Sequence, residues 1–377
     1  MTHLHYFFPE NDLALARDIA RYTAPPAAVR LRRAGSTLPF FYGNEGAMVL
    51  SEGVDARWLG RLRDTLDISC RPYDHRPEGK TPVPWGWSKA VRQIFVDIGF
   101  GAVALPDDGA LDEIRRLSHR RSSAIIAGEL ADALDFTIAP AARELTTLEE
   151  IMHFIAANPD GTVLKLPWSS SGRGLVATDP ATAASQTSMF EGMLRRQGSV
   201  MAEPRMKKLL DFAMLFTINE SGKCSFDGYS VFNNVQFGSY AGNILEPQAA
   251  LRRRVSALCG DNSLSKLETV LPGIIEKLVG KAYRGPLGID MMAVDSPSYA
   301  LAPAVELNLR MTMGHLCRIF YARYAAEGAH GTFKVLPAPA EKPAGFFDAH
   351  AHNGHLLSGS IDLAQPGSAF SFIVELA

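Results

Sequence analysis

The sequence predicts an α/β protein that begins with a largely parallel sheet and continues into a second region of different pattern. Over residues 1–115, short apolar runs alternate with segments of helical apolar spacing, which is typical of βα units. Hydrophobic residues make up 47% of the chain and charged residues 21%, a composition that can bury a core. At 377 residues, the chain has the length of about two or three domains.

The first region is expected to alternate strands with helices. In chain order we predict a strand at 4–8, a helix at 12–22, a strand at 47–50, a helix at 56–66, a strand at 68–70, a helix at 88–98 and a strand at 102–105. Pro25 and Pro26 end the first helical pattern, and a loop at 82–87 precedes the last helix. The region has no G-x-G-x-x-G motif, so a dinucleotide site is not predicted.

The second region begins with a long helical pattern at 111–134. This pattern contains a cluster of arginines, which can be explained as the solvated face of a helix. Next we predict a helix at 148–157, a strand at 162–166, a Ser/Gly loop, a helix at 180–196, a strand at 199–203, a hairpin of 212–218 with 223–232, helices at 247–258 and 263–283, and a hairpin of 288–294 with 299–309. The segment after Pro337 is rich in Pro, Gly and His and ends in an expected strand at 370–376.

Charge and cysteine content exclude several classes of protein. The 38 basic and 40 acidic residues give a net charge of −2, so no overall field attracts nucleic acid or an anionic membrane. The four cysteines are far apart, which argues against a disulfide framework or a cysteine zinc site. The chain begins without the basic segment of a signal peptide and has no membrane-spanning apolar window. We therefore expect a cytoplasmic protein without nucleic-acid or membrane partners.

One candidate site is a lysine at the end of a buried strand. Lys165 is followed by a loop of small residues whose backbone N–H groups can surround a polyphosphate, while the lysine supplies a point charge. An ordinary flexible turn explains such a loop equally well. The loop residues are Ser169, Ser170, Ser171, Gly172, Arg173 and Gly174.

A second candidate site lies on the expected hairpin at 288–309. Asp290 is on its first strand, and Glu306 and Asn308 are two residues apart on the second, so these two share one face. Carboxylate and amide oxygens are the ligands that Mg²⁺ prefers. Arg310 continues the same face and can reach a transferred phosphoryl group. The alternative is a solvent-facing polar strand, which the apolar neighbours disfavour because unpaired carboxylates are costly to bury.

A third segment follows the expected strand at 199–203. Glu203, Pro204, Arg205 and Met206 form an extended linker whose backbone can pair with the edge of an adenine. Asp211 comes at the start of the next strand and can accept hydrogen bonds from ribose hydroxyls.

In their order and spacing, these three segments resemble the ATP-grasp superfamily, in particular the branch of biotin carboxylase and carbamoyl-phosphate synthase. The resemblance covers roughly residues 110–320, and the first 105 residues resemble the α/β domain that precedes the ATP-grasp fold. It implies that ATP is held by Lys165, the loop at 169–174, the linker at 203–206 and Asp211. It also implies that Asp290, Glu306 and Asn308 hold Mg²⁺, and that Lys165 and Arg310 are catalytic.

The resemblance also implies a chemistry and a division of the chain. ATP would phosphorylate a carboxylate to an acyl phosphate, which an amine of an amino acid or peptide would then attack. We expect an N-terminal α/β domain at 1–115, a linker helix with a flap subdomain at 116–205, a C-terminal subdomain with the metal site at 206–336 and a tail at 337–377. A phosphotransferase and a nucleotide-binding regulatory protein without turnover are the alternatives, and a homodimer is left open.

The chain departs from the family pattern in two places. An earlier nucleotide-binding lysine is usual, but here the linker offers only arginines, and Arg121, or its neighbour Arg120, is the substitute. Biotin carboxylases also carry a basic bicarbonate-binding segment and a glutamate before the histidine at 315, where this chain has Gly314. A carboxylase activity is therefore disfavoured. His315 is interpreted as a structural residue or, alternatively, as a base that contacts substrate.

Overall fold

The N-terminal part of the chain contains a parallel sheet of four strands. In the computed structural model, which describes residues 1–169, 174–234, 240–338 and 347–377, the strand order is β3-β2-β1-β4. The parallel sheet predicted from the βα alternation is thus confirmed. The strands are β1 (Thr2–Tyr6), β2 (Met48–Leu50), β3 (Arg71–Pro72) and β4 (Lys80–Pro84).

Five helices accompany this sheet. They are α1 (Asn11–Arg17), α2 (Pro26–Ala34), α3 (Pro39–Tyr42), α4 (Ala56–Leu66) and α5 (Lys89–Asp97). The two prolines expected to end the first helix in fact begin the second, because Pro26 occupies the first helical turn, where no backbone N–H is needed. Residues 102–104, expected as a strand, form a 3-10 turn, and the loop expected at 82–87 begins inside β4.

The long helix expected at 111–134 is broken into two. Helix α6 (Asp108–Leu117) ends before Ser118, and α7 (Arg121–Ala133) starts three residues later. At the break, the backbone N–H of Arg120 donates to the carbonyl of Pro167, 3.2 Å away and two residues after β6 of the following sheet. The break therefore brings Arg120 next to the loop that begins at Ser169.

A small antiparallel sheet follows, with the strand order β5-β8-β6-β7. Its strands are β5 (Arg143–Leu145), β6 (Thr162–Lys165), β7 (Leu175–Thr178) and β8 (Val200–Pro204), and its helices are α8 (Leu148–Ala156) and α9 (Thr187–Gln197). Phe190, Ile151 and Leu164 are fully buried in the separate core of this unit. Strands β6 and β7 form the hairpin that carries the Ser/Gly loop.

The rest of the chain forms a nine-stranded sheet with the order β13-β12-β9-β10-β11-β14-β17-β16-β15. Its strands are β9 (Lys208–Ile218), β10 (Cys224–Asn234), β11 (Tyr240–Leu245), β12 (Gly285–Val294), β13 (Leu301–Asn308), β14 (Gly331–Pro337), β15 (Phe347–His352), β16 (His355–Asp362) and β17 (Phe370–Leu376). Both expected hairpins are present, as β9 with β10 and β12 with β13.

Helices cover both faces of this sheet. Helices α10 (Gln248–Cys259) and α11 (Asp261–Val279) bury one face in a core that includes Phe216 and Ile289. Helix α12 (Met313–Tyr324) packs on the opposite face, where its Gly314 lies against Ser230 and Leu215. Among the helices in the described ranges, none has both the length and the apolar character to cross a membrane.

The segment after Pro337, expected as a tail with one strand, contributes three strands to the large sheet. Phe372 and Val374 of β17 share one hydrophobic core with Leu4 and Phe7, at the start of the chain. The rings of Phe7 and Phe372 have centroids 6.4 Å apart. The end of the chain therefore completes the core of its beginning.

This shared core predicts a large loss of stability when its C-terminal member is truncated. Replacing the fully buried Phe372 with alanine should lower the free energy of unfolding by about 3–5 kcal/mol, measured by urea denaturation. The control is Leu357→Ala on β16, an apolar residue that is 48% exposed, which should change it by less than about 1 kcal/mol. Equal losses in the two variants would contradict the shared core.

Candidate functional site

Two acidic side chains and an amide meet on strands β12 and β13. In the antiparallel register, Asp290 lies directly opposite Glu306, and Gly288 lies opposite Asn308. The side chain of Asn308 hydrogen-bonds to the carboxylate of Asp290. We call this surface, carrying Asp290, Glu306 and Asn308, the carboxylate face. The three residues that the sequence predicts as oxygen ligands are therefore adjacent.

The carboxylate face is short of positive charge at Asp290. Burial, together with the neighbouring charge of Glu306, raises the pKa of Asp290 to about 7. A cation placed between the two carboxylates would offset both effects. Two carboxylates and an amide oxygen at a half-enclosed position are a donor set suited to Mg²⁺, which also binds water and phosphate oxygens.

Arg120 joins the carboxylate face to the Ser/Gly loop. Its Nη1 lies 2.9 Å from Oε2 of Glu306, and its side chain is only 6% exposed. The same guanidinium donates to the carbonyl oxygen of Leu166 at 3.1 Å and to the hydroxyl of Ser169 at 3.2 Å. The side chain of Arg120 therefore connects the segment between α6 and α7, the base of the Ser/Gly loop and Glu306, a predicted metal ligand.

Arg121, the residue chosen from the sequence to replace the usual lysine, lies elsewhere. Its side chain is about half exposed, and its Nη2 donates to Glu144, 2.7 Å away on β5. The alternative residue, Arg120, is the one at the site. The sequence could not distinguish these neighbours because the helix break that turns Arg120 inward is stabilised by Pro167, far along the chain.

Arg310 lies beyond the end of β13 and is held by the N-terminal part of the chain. Its Nε and Nη2 groups both donate to Oδ2 of Asp12, at 3.0 and 2.7 Å. Both side chains are about six-sevenths buried. Burial lowers the pKa of Arg310, but Asp12, Glu306 and Asp290 raise it, so the net shift is upward. Sequence analysis missed Asp12, although a polar cluster after the first strand is a signal for a site in a parallel sheet.

Lys165 ends β6 and pairs with Glu203 of β8. The two charged atoms lie 2.6 Å apart, and both side chains are more than nine-tenths buried. A buried ion pair of this kind is costly unless further polar groups complete it. Lys165 and Glu203, two of the predicted nucleotide contacts, thus hold each other in place.

The loop after β6 is described only at its two ends. Ser169 contacts Arg120, and the carbonyl of Gly174 accepts a hydrogen bond from Leu166. Gly174 has φ +74°, and a side chain there would collide with Leu166, so glycine is required at this position. The predicted contacts Ser170, Ser171, Gly172 and Arg173 lie outside the described residues.

The linker after β8 leads from the small antiparallel sheet to β9, which carries Asp211. Pro204 pairs with Thr162 at the end of β8, Arg205 donates its backbone N–H to Gly161, and Met206 is half-buried. On β9, Asp211 pairs with Met292 and Ala213 pairs with Asp290, which places Asp211 on the same face as the predicted metal ligands. Its carboxylate accepts hydrogen bonds from Lys208 and Asn234.

His315 is a structural histidine in this fold. It is buried, its Nδ1 lies 2.8 Å from the Thr312 hydroxyl, and its Nε2 lies 3.4 Å from the carbonyl of Phe216. Burial lowers the pKa of His315 to about 4, so the ring is neutral at pH 7. Within the described residues, no three His, Cys, Asp or Glu side chains converge as metal ligands, and the histidines of β15 and β16 form no such site.

Comparison with solved structures identifies proteins of similar fold. Biotin carboxylase from Campylobacter jejuni, in complex with β,γ-ATP, matches all of this chain and 87% of its own, with a TM-score of 0.55 and 11% identity. A pyruvate carboxylase from Rhizobium etli matches all of this chain and 36% of its own, with a TM-score of 0.52 and 13% identity. N5-carboxyaminoimidazole synthetase from Staphylococcus aureus covers all of this chain and 93% of its own, with a TM-score of 0.50 and 9% identity.

Sequence comparisons add no further relatives. No protein-family profile matches the chain, and no curated protein sequence does so either. The structural matches cover the whole chain, including the parallel sheet, the small antiparallel sheet and the large sheet. The resemblance first indicated by three motifs is confirmed at the level of fold: the chain has the α/β fold of biotin carboxylase, an ATP-grasp enzyme.

Proposed function

We propose that the protein is an ATP-dependent ligase that activates a carboxylate as an acyl phosphate and joins it to an amine. The observation that carries this proposal is the carboxylate face, where Asp290, Glu306 and Asn308 meet between the buried guanidinium groups of Arg120 and Arg310. Phosphoryl transfer depends mainly on positioning and on neutralising the charge of phosphate oxygens, and this arrangement supplies both.

The nucleotide would lie between the small sheet and the large sheet. Lys165 and the loop at 169–174 would contact the phosphates, the linker at 203–206 would contact the adenine, and Asp211 would contact the ribose. This assignment is supported by the contacts of Arg120, which span both sheets at their meeting point. It is also supported by the common face of Asp211 and Asp290.

Asp290, Glu306 and Asn308 would hold Mg²⁺. The metal would neutralise charge that develops on the β- and γ-phosphate oxygens. Arg120, in the segment between α6 and α7, already neutralises Glu306. The charge of this arginine therefore contributes to the charge balance of the metal ligands.

The proposed reaction has two steps. A carboxylate oxygen of the acid attacks the γ-phosphorus of ATP, and the bond to the β-phosphate oxygen breaks, which releases ADP. The amine nitrogen then attacks the acyl carbon, phosphate leaves, and the proton lost by the amine passes to solvent. Arg310 would stabilise the phosphoryl oxygens in the first step. An amino acid or peptide is the proposed acceptor. Gly314, where biotin carboxylases have a glutamate, disfavours a carboxylase reaction.

A product screen tests this proposal. Purified protein is incubated with Mg·ATP and pairs of amino acids and dipeptides. ADP release is recorded, and the mass of the product is determined by mass spectrometry. We expect sustained ADP release over many turnovers only when acid and amine are both present, and a product whose mass equals acid plus amine minus water. A product that retains phosphate would show a phosphotransferase instead, and nucleotide binding without ADP would favour a regulatory protein.

Removing a metal ligand should abolish turnover. Glu306→Ala or Asn308→Ala should lower Mg·ATP-dependent phosphate release by about 100-fold or more, because charge on the phosphate oxygens is no longer neutralised in place. The control is Asp295→Ala, a half-exposed aspartate in the turn of the same hairpin, paired with Lys207. It should leave turnover unchanged. Unchanged turnover in both ligand variants would contradict the proposed site.

The neighbouring arginines provide a matched comparison. Arg120→Ala should lower turnover about 100-fold and weaken Mg·ATP binding measured by calorimetry, whereas Arg121→Ala should change each by less than about threefold. The reason is that only Arg120 touches both the loop base and Glu306. Arg120→Lys should recover part of the binding because it keeps the charge. A stronger effect at Arg121 would assign the nucleotide contact to that residue instead.

A further inference from the structure

Arg310 and its partner come from opposite ends of the chain. Asp12 lies in the first turn of α1, directly after β1, and Arg310 is 298 residues further on, two residues beyond Asn308. The first sheet therefore reaches the carboxylate face through one ion pair. Asp12 thereby brings a charged side chain from the N-terminal part of the chain to the site.

The contact fixes the guanidinium while leaving part of it free. Nε and Nη2 each donate to Oδ2 of Asp12, and Nη1 lies 3.4 Å from the carbonyl of Met311. A guanidinium has five N–H donors. Among the described residues these contacts use three of them, so two remain to meet the oxygens of a ligand.

The surrounding backbone is built for this approach. A side chain at Gly86 would place its Cβ 2.9 Å from Cβ of Arg310 and 2.7 Å from Nδ2 of Asn11. The backbone N–H of Met311 donates to the carbonyl of Trp85 at 2.8 Å. Glycine at 86 thus lets the segment after β4 lie directly against Arg310, and this segment and Asp12 hold it from two sides.

We propose that Asp12 is a positioning residue that holds the guanidinium of Arg310 at the phosphoryl-transfer site. This inference rests on the proposed function for the role of Arg310. It adds that helix α1, through Asp12, takes part in the first chemical step, in which no substrate amine is needed. A fixed guanidinium contributes to the transition state without losing side-chain freedom during the reaction.

The kinetic test compares two aspartates of the same sheet region. With the acid and amine found in the product screen, Asp12→Ala should lower kcat by about 100-fold while the KM for ATP changes by less than about threefold. Asp12→Glu should recover about tenfold of the loss, because it restores the charge at a longer reach. The matched control is Asp97→Ala, which removes the aspartate of the exposed pair with Arg21 and should leave kcat unchanged.

A double variant separates positioning from general destabilisation. If Asp12 acts through Arg310, then Arg310→Ala with Asp12→Ala should be no slower than Arg310→Ala alone. Losses that multiply in the double variant would overturn the proposal, and so would a kcat for Asp12→Ala within about threefold of the Asp97→Ala value.

A measurement without turnover keeps the two proposals distinguishable. The Nε–H signal of Arg310 is assigned in ¹⁵N-labelled protein by its loss in Arg310→Lys, and its exchange with water is recorded. Asp12→Asn should speed that exchange by about tenfold or more, and Asp97→Asn should not change it. An unchanged exchange rate in Asp12→Asn would contradict the proposal that Asp12 positions the guanidinium of Arg310. Absence of ADP release by the wild-type protein would instead contradict the proposed function.

Discussion

The structure depends on balancing two acidic side chains that lie opposite each other in a half-buried sheet. Asp290 and Glu306 repel, and burial makes each charge more costly. Arg120, in the segment between α6 and α7, neutralises Glu306. Arg310 lies nearby and is itself neutralised by Asp12. Arg120 and Asp12 both come from outside the hairpin, so the charge balance can form only when separate parts of the chain have met.

This arrangement explains why the break between α6 and α7 matters. In a continuous helix, the backbone N–H of Arg120 would bond to the carbonyl four residues earlier and not to Pro167. Instead, the turn at 118–120 aims Arg120 at Glu306, while its backbone binds Pro167 at the base of the Ser/Gly loop. The Ser/Gly loop, the segment between α6 and α7 and the carboxylate face are thus joined through the side chain of Arg120. A change in one of the three therefore affects the other two.

Sequence analysis found the parts of the site that local periodicity determines. Glu306 and Asn308 share a face because strands alternate, and Asp290 meets them because a hairpin sets its own register. The choice between Arg120 and Arg121 was beyond reach, since it depends on a contact with Pro167. Asp12 was missed because the polar residues after β1 mark only a possible site, and the partner that gives Asp12 its role is 298 residues away. In the fold, α2 was missed because its prolines resemble a helix end, and β15 and β16 because short strands in a polar segment carry little pattern.

The shared core of β1 and β17 has a consequence for synthesis of the chain. The apolar side of the first sheet, with Phe7 and Leu4, leaves the ribosome long before Phe372 and Val374 exist to cover it. Growing chains that expose such surface are prone to aggregate. The N-terminal region therefore stays partly uncovered until β17 has been synthesised. A chain that stalls before β17 would leave the core of its first sheet incomplete, so loss of this one strand destabilises two distant parts of the sequence.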